Sequence, residues 1–194
     1  VGYRFSEAWA SDQRLYFVIK TSHSFKDVLE SPIKKGLAGA QKIALHFINP
    51  KNEAVTLKVG ISAVDIEGAK KNLAAEIGNQ TFEQVKKRAQ DFWEQQLEKI
   101  VVEDPNEDHK INFYTSMYHV AIAPNLYQDV DGRYRGMDLK IHETKDFDYY
   151  TVFSLWDTYR AAHPLYTIIE QEKTNDFINT FLAKYEEGGI LPIW

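Results

Sequence analysis

The sequence contains no cysteine, which excludes disulfide bonds and thiolate metal sites but does not decide the compartment. It has no run of about 18 apolar residues, so no segment is predicted to cross a membrane as a helix. The net charge is −5, and a nucleic-acid partner is not expected because binding to phosphates requires a basic face.

Several catalytic and metal-binding motifs are also missing. There is no H-E-x-x-H pair, no phosphate-binding glycine loop and no G-x-S-x-G elbow. The segment DVDGRYRGMD begins like a calcium loop, but it lacks the third Asp or Asn and the final Glu of an EF-hand. A turn with an acidic tip is therefore the favoured interpretation of this segment.

The first third of the chain is predicted to be strand. RLYFVIKTS, QKIALHFIN and AVTLKVGISAV are rich in β-branched and aromatic residues. The turn signal from Asn49 to Asn52 separates the last two segments, so we expect them to pair as a hairpin.

At Asp65 the apolar period changes from about 2 to about 3.6 residues, which indicates a change to helices. Asp65 is a candidate N-cap for a first helix that ends near Gly78, and Thr81 caps a second one. Apolar residues of the second helix recur at spacings of three and four, and we expect this stripe to pack on another part of the protein. The stripe consists of Phe82, Val85, Ala89, Phe92, Trp93, Leu97 and Ile100.

Helices also dominate the remainder. KINFYTSMYHVAIA is predicted to be a helix that stops at Pro124, and Asp131-Gly132 is expected at the turn of a short hairpin. FSLWDTYRAAHPLYTIIEQ and KTNDFINTFLAKYEEGG predict two further helices, with a kink or restart near Pro164. Glu186-Glu187 ends the last helix, either as a solvated end or as acids directed towards a substrate.

The segment FSLWDTYR has two possible interpretations. Ser154 and Asp157 have capping-box spacing, which predicts a helix start. The same stretch would suit a sugar, because Trp156 offers a flat apolar face and an ionised Asp157 accepts hydroxyl hydrogen bonds. Arg160 follows at helical spacing, so the three residues are expected on one side of a helix.

Three groups of motifs resemble one known family. They are APNLYQDVDGRYRGMD with FSLWDTYR, the helical stretch AKKNLAAEIGNQTFEQVKKRAQDFWEQQLEKI, and the final Gly-Gly, Leu-Pro and Trp of GGILPIW. Together they are similar to the calcium-dependent α-mannosidases of glycoside hydrolase family ninety-two. The resemblance covers most of the chain and is weakest before about residue 55.

The resemblance implies a mixed α and β fold. Residues 1–64 are expected to be the C-terminal part of a β-sandwich, residues 65–104 a helical linker, and residues 105–194 the start of an (α/α)6 catalytic barrel. It also implies a periplasmic or extracellular bacterial enzyme.

The implied activity is that of an inverting exo-α-mannosidase, of α-1,2 type, which removes terminal mannose from glycans such as N-glycans with calcium as cofactor. Trp156 and Asp157 match the family's mannose-holding pair, and Arg160 and Trp194 match nearby positions. The general acid and base are expected beyond Trp194, so we read the chain as a fragment that is inactive alone.

Two other functions compete with the enzyme. The β-rich start is compatible with a non-catalytic carbohydrate-binding or assembly module. The apolar stripe of the second helix is compatible with a helical interaction domain.

Overall fold

A computed structural model describes residues 1–8, 10–32 and 41–193 of the protein. The chain divides into two compact units, one formed by Val1–Val18 with Gly60–Trp194 and the other by Ile19–Val59. No helix in the described part is long and apolar enough to cross a membrane.

Runs of strands are followed by runs of helices in the described part of the chain, which confirms the predicted mixed α and β class. The strands are β1 (Gly2–Ser6), β2 (Gln13–Thr21), β3 (Phe25–Pro32), β4 (Gln41–Phe47), β5 (Leu57–Ser62), β6 (Asn125–Leu126), β7 (Arg133–Arg135), β8 (Ile141–Glu143) and β9 (Tyr150–Thr151). The helices are α1 (Ile66–Glu76), α2 (Phe82–Leu97), α3 (Glu107–Ala121), α4 (Leu155–Thr158), α5 (Ala162–Ile169) and α6 (Gln171–Gly188).

The first predicted hairpin is wrong in its pairing. β4 pairs antiparallel with β3, whereas β5 joins a three-stranded sheet in the order β1-β2-β5. The turn at Asn49–Asn52 does form, with the amide of Asn52 donating to the carbonyl of Asn49 at 3.2 Å. A turn signal therefore marked the change of direction correctly, but it does not specify which strand becomes the neighbour.

α1 packs closely against the sheet. Ala69 and Leu73 of the helix form a buried apolar cluster with Val18 of β2. A Cβ atom at Gly60 of β5 would overlap the carbonyl oxygen of Ala69, so only glycine permits this approach of helix and strand.

Both predicted helix starts between residues 65 and 82 are confirmed. The Asp65 carboxylate accepts from the amide of Gly68 at 2.6 Å. Thr81 forms a complete capping box with Gln84, and α2 is helical throughout 82–97. Gly78 has a φ of +51° and donates its amide to the carbonyl of Leu73, as expected of a helix stop.

The apolar stripe of α2 is divided within the described chain, because Val85, Trp93, Leu97 and Ile100 are partly buried whereas other members are exposed. Phe82 and Phe92 are 66% and 51% exposed. Trp93 packs against α3, where the centroid of its ring lies 4.6 Å from that of Tyr118.

The second predicted hairpin also differs in detail. Gly132 has a φ of +81° and donates its amide to the carbonyl of Asp129, so a turn exists at Asp131-Gly132. The hairpin nevertheless lies further on, where β7 pairs with β8, and β6 pairs with the distant β9.

A cluster of aromatic side chains forms the core beneath α5 and α6. Tyr150, Phe153, Tyr166 and Phe177 are all buried and in mutual contact. The hydroxyl of the buried Tyr166 has hydrogen-bond partners, because it donates to the carbonyls of Val120 and Ala123.

An ionic network connects α1 with the segment before β7. Arg133 donates to the Asp65 carboxylate at 2.8 Å and to the Asp131 carboxylate at 3.0 Å. The buried Asp129 carboxylate accepts from Ser62 Oγ and Asn72 Nδ2, both at 2.7 Å. Burial raises the pKa of Asp129, and these two hydrogen bonds oppose that rise.

Asp65 caps α1 and also binds Arg133, and two substitutions in the full-length protein separate these roles. Asp65→Asn keeps the cap but loses the ion pair, so we expect a loss of unfolding free energy below about 1 kcal/mol. Asp65→Ala loses both, and the further loss should be about 0.5–2 kcal/mol. Thermal or denaturant unfolding measures the difference, with Glu67→Ala in the same helical turn as control. Equal stabilities of the Asn and Ala variants would contradict the capping role.

Candidate functional site

The site candidate is a strained stretch of backbone that leads into a single helical turn. Val152 and Ser154 have φ values of +62° and +48°, in the left-handed region that non-glycine residues rarely occupy. Phe153 between them is almost completely buried in the aromatic core. Such strain persists only where surrounding packing enforces it, and it occurs preferentially at functional sites.

The predicted capping box is wrong. Ser154 stands before α4 in the left-handed conformation, and its side chain accepts no backbone hydrogen bond. Its hydroxyl instead donates to the Asp157 carboxylate at 3.3 Å. A box requires an extended N-cap, so the correct spacing of residue types was not sufficient.

The expected single helix through Trp156, Asp157 and Arg160 is also wrong. α4 ends at Thr158, and a new helix begins at Ala162, which confirms the predicted restart near Pro164. Trp156 is 57% exposed, and Asp157 and Arg160 are exposed as well. The Arg160 guanidinium lies over the ring of Tyr159, 5.4 Å from its centroid.

Trp194 lies outside the described residues. The carbonyl of the preceding residue, Ile193, accepts a hydrogen bond from the Leu155 amide at 2.7 Å. The C-terminal segment after α6 is thus hydrogen-bonded directly to the first residue of α4.

Beneath this segment lies a buried cation. Lys184 of α6 is 3% exposed, and its ammonium group lies 4.9 Å from the ring centroid of Phe153 and 5.4 Å from that of Tyr149. Burial lowers the pKa of Lys184 to about 8, and the Glu187 charge opposes this shift. Lysine is rarely buried, so the burial of Lys184 was not expected from its residue type.

Glu187 matches neither sequence-based alternative. Its carboxylate accepts from the Tyr134 hydroxyl at 2.8 Å, the Met137 amide at 2.9 Å and the Tyr149 hydroxyl at 3.3 Å. Burial and the neighbouring carboxylate together raise the pKa values of both tyrosines. Glu187 is therefore an internal acceptor that joins α6 to the β7–β8 hairpin.

The described part of the chain contains no evident set of side-chain ligands for calcium. No group of three His, Asp or Glu side chains there is arranged to hold a metal ion. In the DVDG segment Asp131 binds Lys71 and Arg133, and Asp129 binds uncharged donors. The acidic residues of this turn thus have structural partners within the chain.

The arrangement around α4 is suited to binding a polyol. An exposed indole ring stands next to an exposed carboxylate, on a backbone fixed by the aromatic core. Sugar C–H groups pack on such rings, and a carboxylate accepts hydrogen bonds from hydroxyls.

The buried Lys184 predicts a pH effect on stability in the full-length protein. Between about pH 8 and pH 10.5 the unfolded chain binds more protons at this residue than the folded chain, so the unfolding free energy rises with pH. Relative to Lys184→Met, the wild type should gain about 3 kcal/mol across this window.

Melting curves of the two proteins at several pH values measure this gain. Lys86→Met, at an exposed position of α2, is the control and should show no such trend. A Lys184→Met difference that stays constant with pH would contradict the effect.

Known proteins place this architecture in a family. The description "glycosyl hydrolase family 92 catalytic domain" belongs to a family model that matches residues 68–194. No curated protein sequence matches the chain.

Solved structures match almost the whole chain. The family GH92 α-mannosidase BT3965 from Bacteroides thetaiotaomicron is similar with a TM-score of 0.87 and 33% identity over 99% of this chain. Its complex with mannoimidazole gives the same values. The inverting mannosidase BT2199 from the same organism has a TM-score of 0.81 at 24% identity over 94% of the chain, a likeness in fold alone.

The chain spans 28% of the length of BT3965 and 26% of that of BT2199. The match to the family model covers well over half of the present chain, and the similarity to BT3965 extends over nearly all of it. The chain belongs to glycosyl hydrolase family 92.

Proposed function

We propose that the full-length protein is an exo-α-mannosidase that releases terminal mannose from glycans such as N-glycans. Support comes from membership of the family and from the 33% identity to an α-mannosidase that has been solved with mannoimidazole. The observation in this chain that carries the proposal is the exposed Trp156–Asp157 pair on a strained and anchored backbone.

Within this proposal the residues around α4 bind the terminal mannose. The Asp157 carboxylate accepts hydrogen bonds from two sugar hydroxyls, and Trp156 packs against the apolar face of the ring. Arg160 and Trp194 contribute nearby contacts, as the family resemblance implies.

The proposed reaction is hydrolysis with inversion and α-1,2 preference. A carboxylic acid protonates the glycosidic oxygen while a carboxylate activates water on the other face of the ring. Inversion requires room for this water, so the two carboxyl groups should be about 6.5–9.5 Å apart. We assign both groups to parts of the protein beyond Trp194. A periplasmic or extracellular location is proposed on the family resemblance.

A non-catalytic carbohydrate-binding module remains the competing function. Its support is that the exposed pair at α4 needs no acid or base in order to bind a sugar. The full-length protein distinguishes the two functions: mannose raises the melting temperature in either case, but only the enzyme hydrolyses an aryl α-mannoside.

Asp157→Asn in the full-length protein tests the proposed binding role. The variant loses charge-assisted hydrogen bonds to mannose, which should lower kcat/KM by about 10- to 150-fold. Its unfolding free energy should change by less than about 1 kcal/mol, because Asn still accepts the 3.3 Å hydrogen bond from Ser154.

Steady-state kinetics and melting curves provide both measurements. Asp146→Asn is the matched control, since Asp146 is exposed and lies outside the site. Wild-type kcat/KM in the Asp157→Asn variant would remove Asp157 from the substrate site.

Calcium dependence is proposed for the full-length enzyme, with ligands outside the described residues. Removal of the ion with a chelator should abolish hydrolysis of an aryl α-mannoside, and added calcium should restore it. Magnesium should not substitute well, because it requires a smaller octahedral site. Unchanged turnover after exhaustive chelation, with metal content checked by elemental analysis, would contradict the dependence.

A further inference from the structure

The C-terminus of α6 is joined to the β7–β8 turn through one carboxylate. Glu187 accepts three hydrogen bonds, from Tyr134 on β7, from the amide of Met137 in the turn, and from Tyr149. The rings of Tyr134 and Tyr149 are themselves stacked with centroids 3.7 Å apart. The carboxylate therefore holds two separate chain segments against the helix end.

The end of α6 and the β7–β8 turn approach each other closely at two glycines. A Cβ atom at Gly136 would lie 2.6 Å from Glu187 Oε2 and 2.7 Å from His142 Cδ2. A Cβ atom at Gly188 would lie 3.1 Å from Met137 Cβ. These contacts are to side chains of the opposite segment or of the β7–β8 hairpin itself, and they show that the turn lies directly against the end of the helix.

A glutamate in this place is not explained by helix formation. Negative charge in the last turn of a helix interacts unfavourably with the helix dipole. The neighbouring Glu186 is exposed, as expected for such a charge, whereas Glu187 is partly buried and fully engaged. We therefore look for the role of Glu187 in the segments to which it is hydrogen-bonded.

The segment that follows Glu187 leads directly to the proposed mannose site. Gly189 ends α6 in the left-handed conformation with a φ of +77°. Four residues later the Ile193 carbonyl accepts from the Leu155 amide. Trp156 and Asp157 follow Leu155 directly in α4. The position of α4 therefore depends on where α6 ends.

We propose that Glu187 is a positioning residue for substrate binding: by fixing the end of α6 on the β7–β8 turn, it sets the position of residues 190–193 and through them that of Trp156 and Asp157. This inference rests on the proposed function, because it assigns substrate binding to α4. Glu187 itself does not contact the sugar.

Three variants of the full-length protein test the proposal. Glu187→Ala removes all three hydrogen bonds. Glu187→Gln retains an oxygen for the Met137 amide, and its amide group can donate to a tyrosine oxygen. Glu186→Ala removes the exposed neighbouring charge and is the matched control.

The kinetic readout is the separation of KM from kcat on an aryl α-mannoside. We expect Glu187→Ala to raise KM about tenfold or more with kcat within about fivefold of wild type, because binding contacts are displaced while the acid and base lie elsewhere. Glu187→Gln should restore KM to within about threefold of the wild-type value. Glu186→Ala should be unchanged.

Hydrogen exchange gives a readout that does not depend on activity. The peptide over residues 150–160 should exchange faster in Glu187→Ala than in wild type and Glu187→Gln, because the Leu155 amide loses its fixed acceptor. If the wild type does not hydrolyse mannosides, the proposed function fails, but the exchange comparison still tests whether Glu187 fixes α4.

Two results would overturn the proposal. One is wild-type KM and wild-type exchange in Glu187→Ala. The other is a Glu187→Gln variant as impaired as Glu187→Ala although its exchange is normal, since Glu187 would then act through its charge on the substrate. If Glu187→Ala does not fold, the double variant Tyr134→Phe with Tyr149→Phe removes two of the three donors. Unchanged KM and exchange in that variant would equally contradict the positioning role.

Discussion

The paired contacts of Arg133 are the interaction on which the arrangement of this part of the protein depends. One guanidinium group joins the N-cap of α1 to the acidic turn before β7. The hydrogen bonds that Arg133 donates to the carboxylates of Asp65 and Asp131 raise its pKa, although desolvation opposes this rise. Because the same guanidinium group is hydrogen-bonded to both carboxylates, it holds the start of α1 next to the acidic turn.

Side chains on the two sides of β7 connect it to different parts of the chain. Side chains alternate along a strand, so Arg133 and Arg135 share one side and Tyr134 takes the other. Arg135 donates to Asp12 at 2.7 Å, whereas Tyr134 donates to Glu187 at the end of α6. Three consecutive residues thus connect the start of the chain, the first helix and the last helix. The short strand gains its importance from these side chains, since its pairing with β8 covers only three residues.

Features that depend on neighbouring residues, such as helix caps, were mostly predictable from the sequence, whereas the pairing of distant strands was not. The caps at Asp65 and Thr81 were predictable because each cap is a contact between a side chain and the backbone amide three residues on. The partner of β4 was not predictable, because pairing depends on segments that lie far apart in the sequence and β3 carries no distinctive pattern. At Ser154 the local signal itself failed, since tertiary packing around the buried Phe153 forces a left-handed backbone where capping requires an extended one.

The candidate site shows the same division between residue type and position. Trp156 and Asp157 were identifiable because their chemistry suits a sugar wherever they lie on an exposed surface. Lys184 was not identifiable, and the internal contacts of Glu187 matched neither interpretation of its position, since the aromatic residues around both side chains come from distant segments of the chain. The single helical turn of α4 has little rigidity of its own, because four residues form only the beginning of a helix. The fixed position of α4 must therefore come from its neighbours: the aromatic core that holds Phe153 below it and the Ile193 carbonyl that holds its first amide.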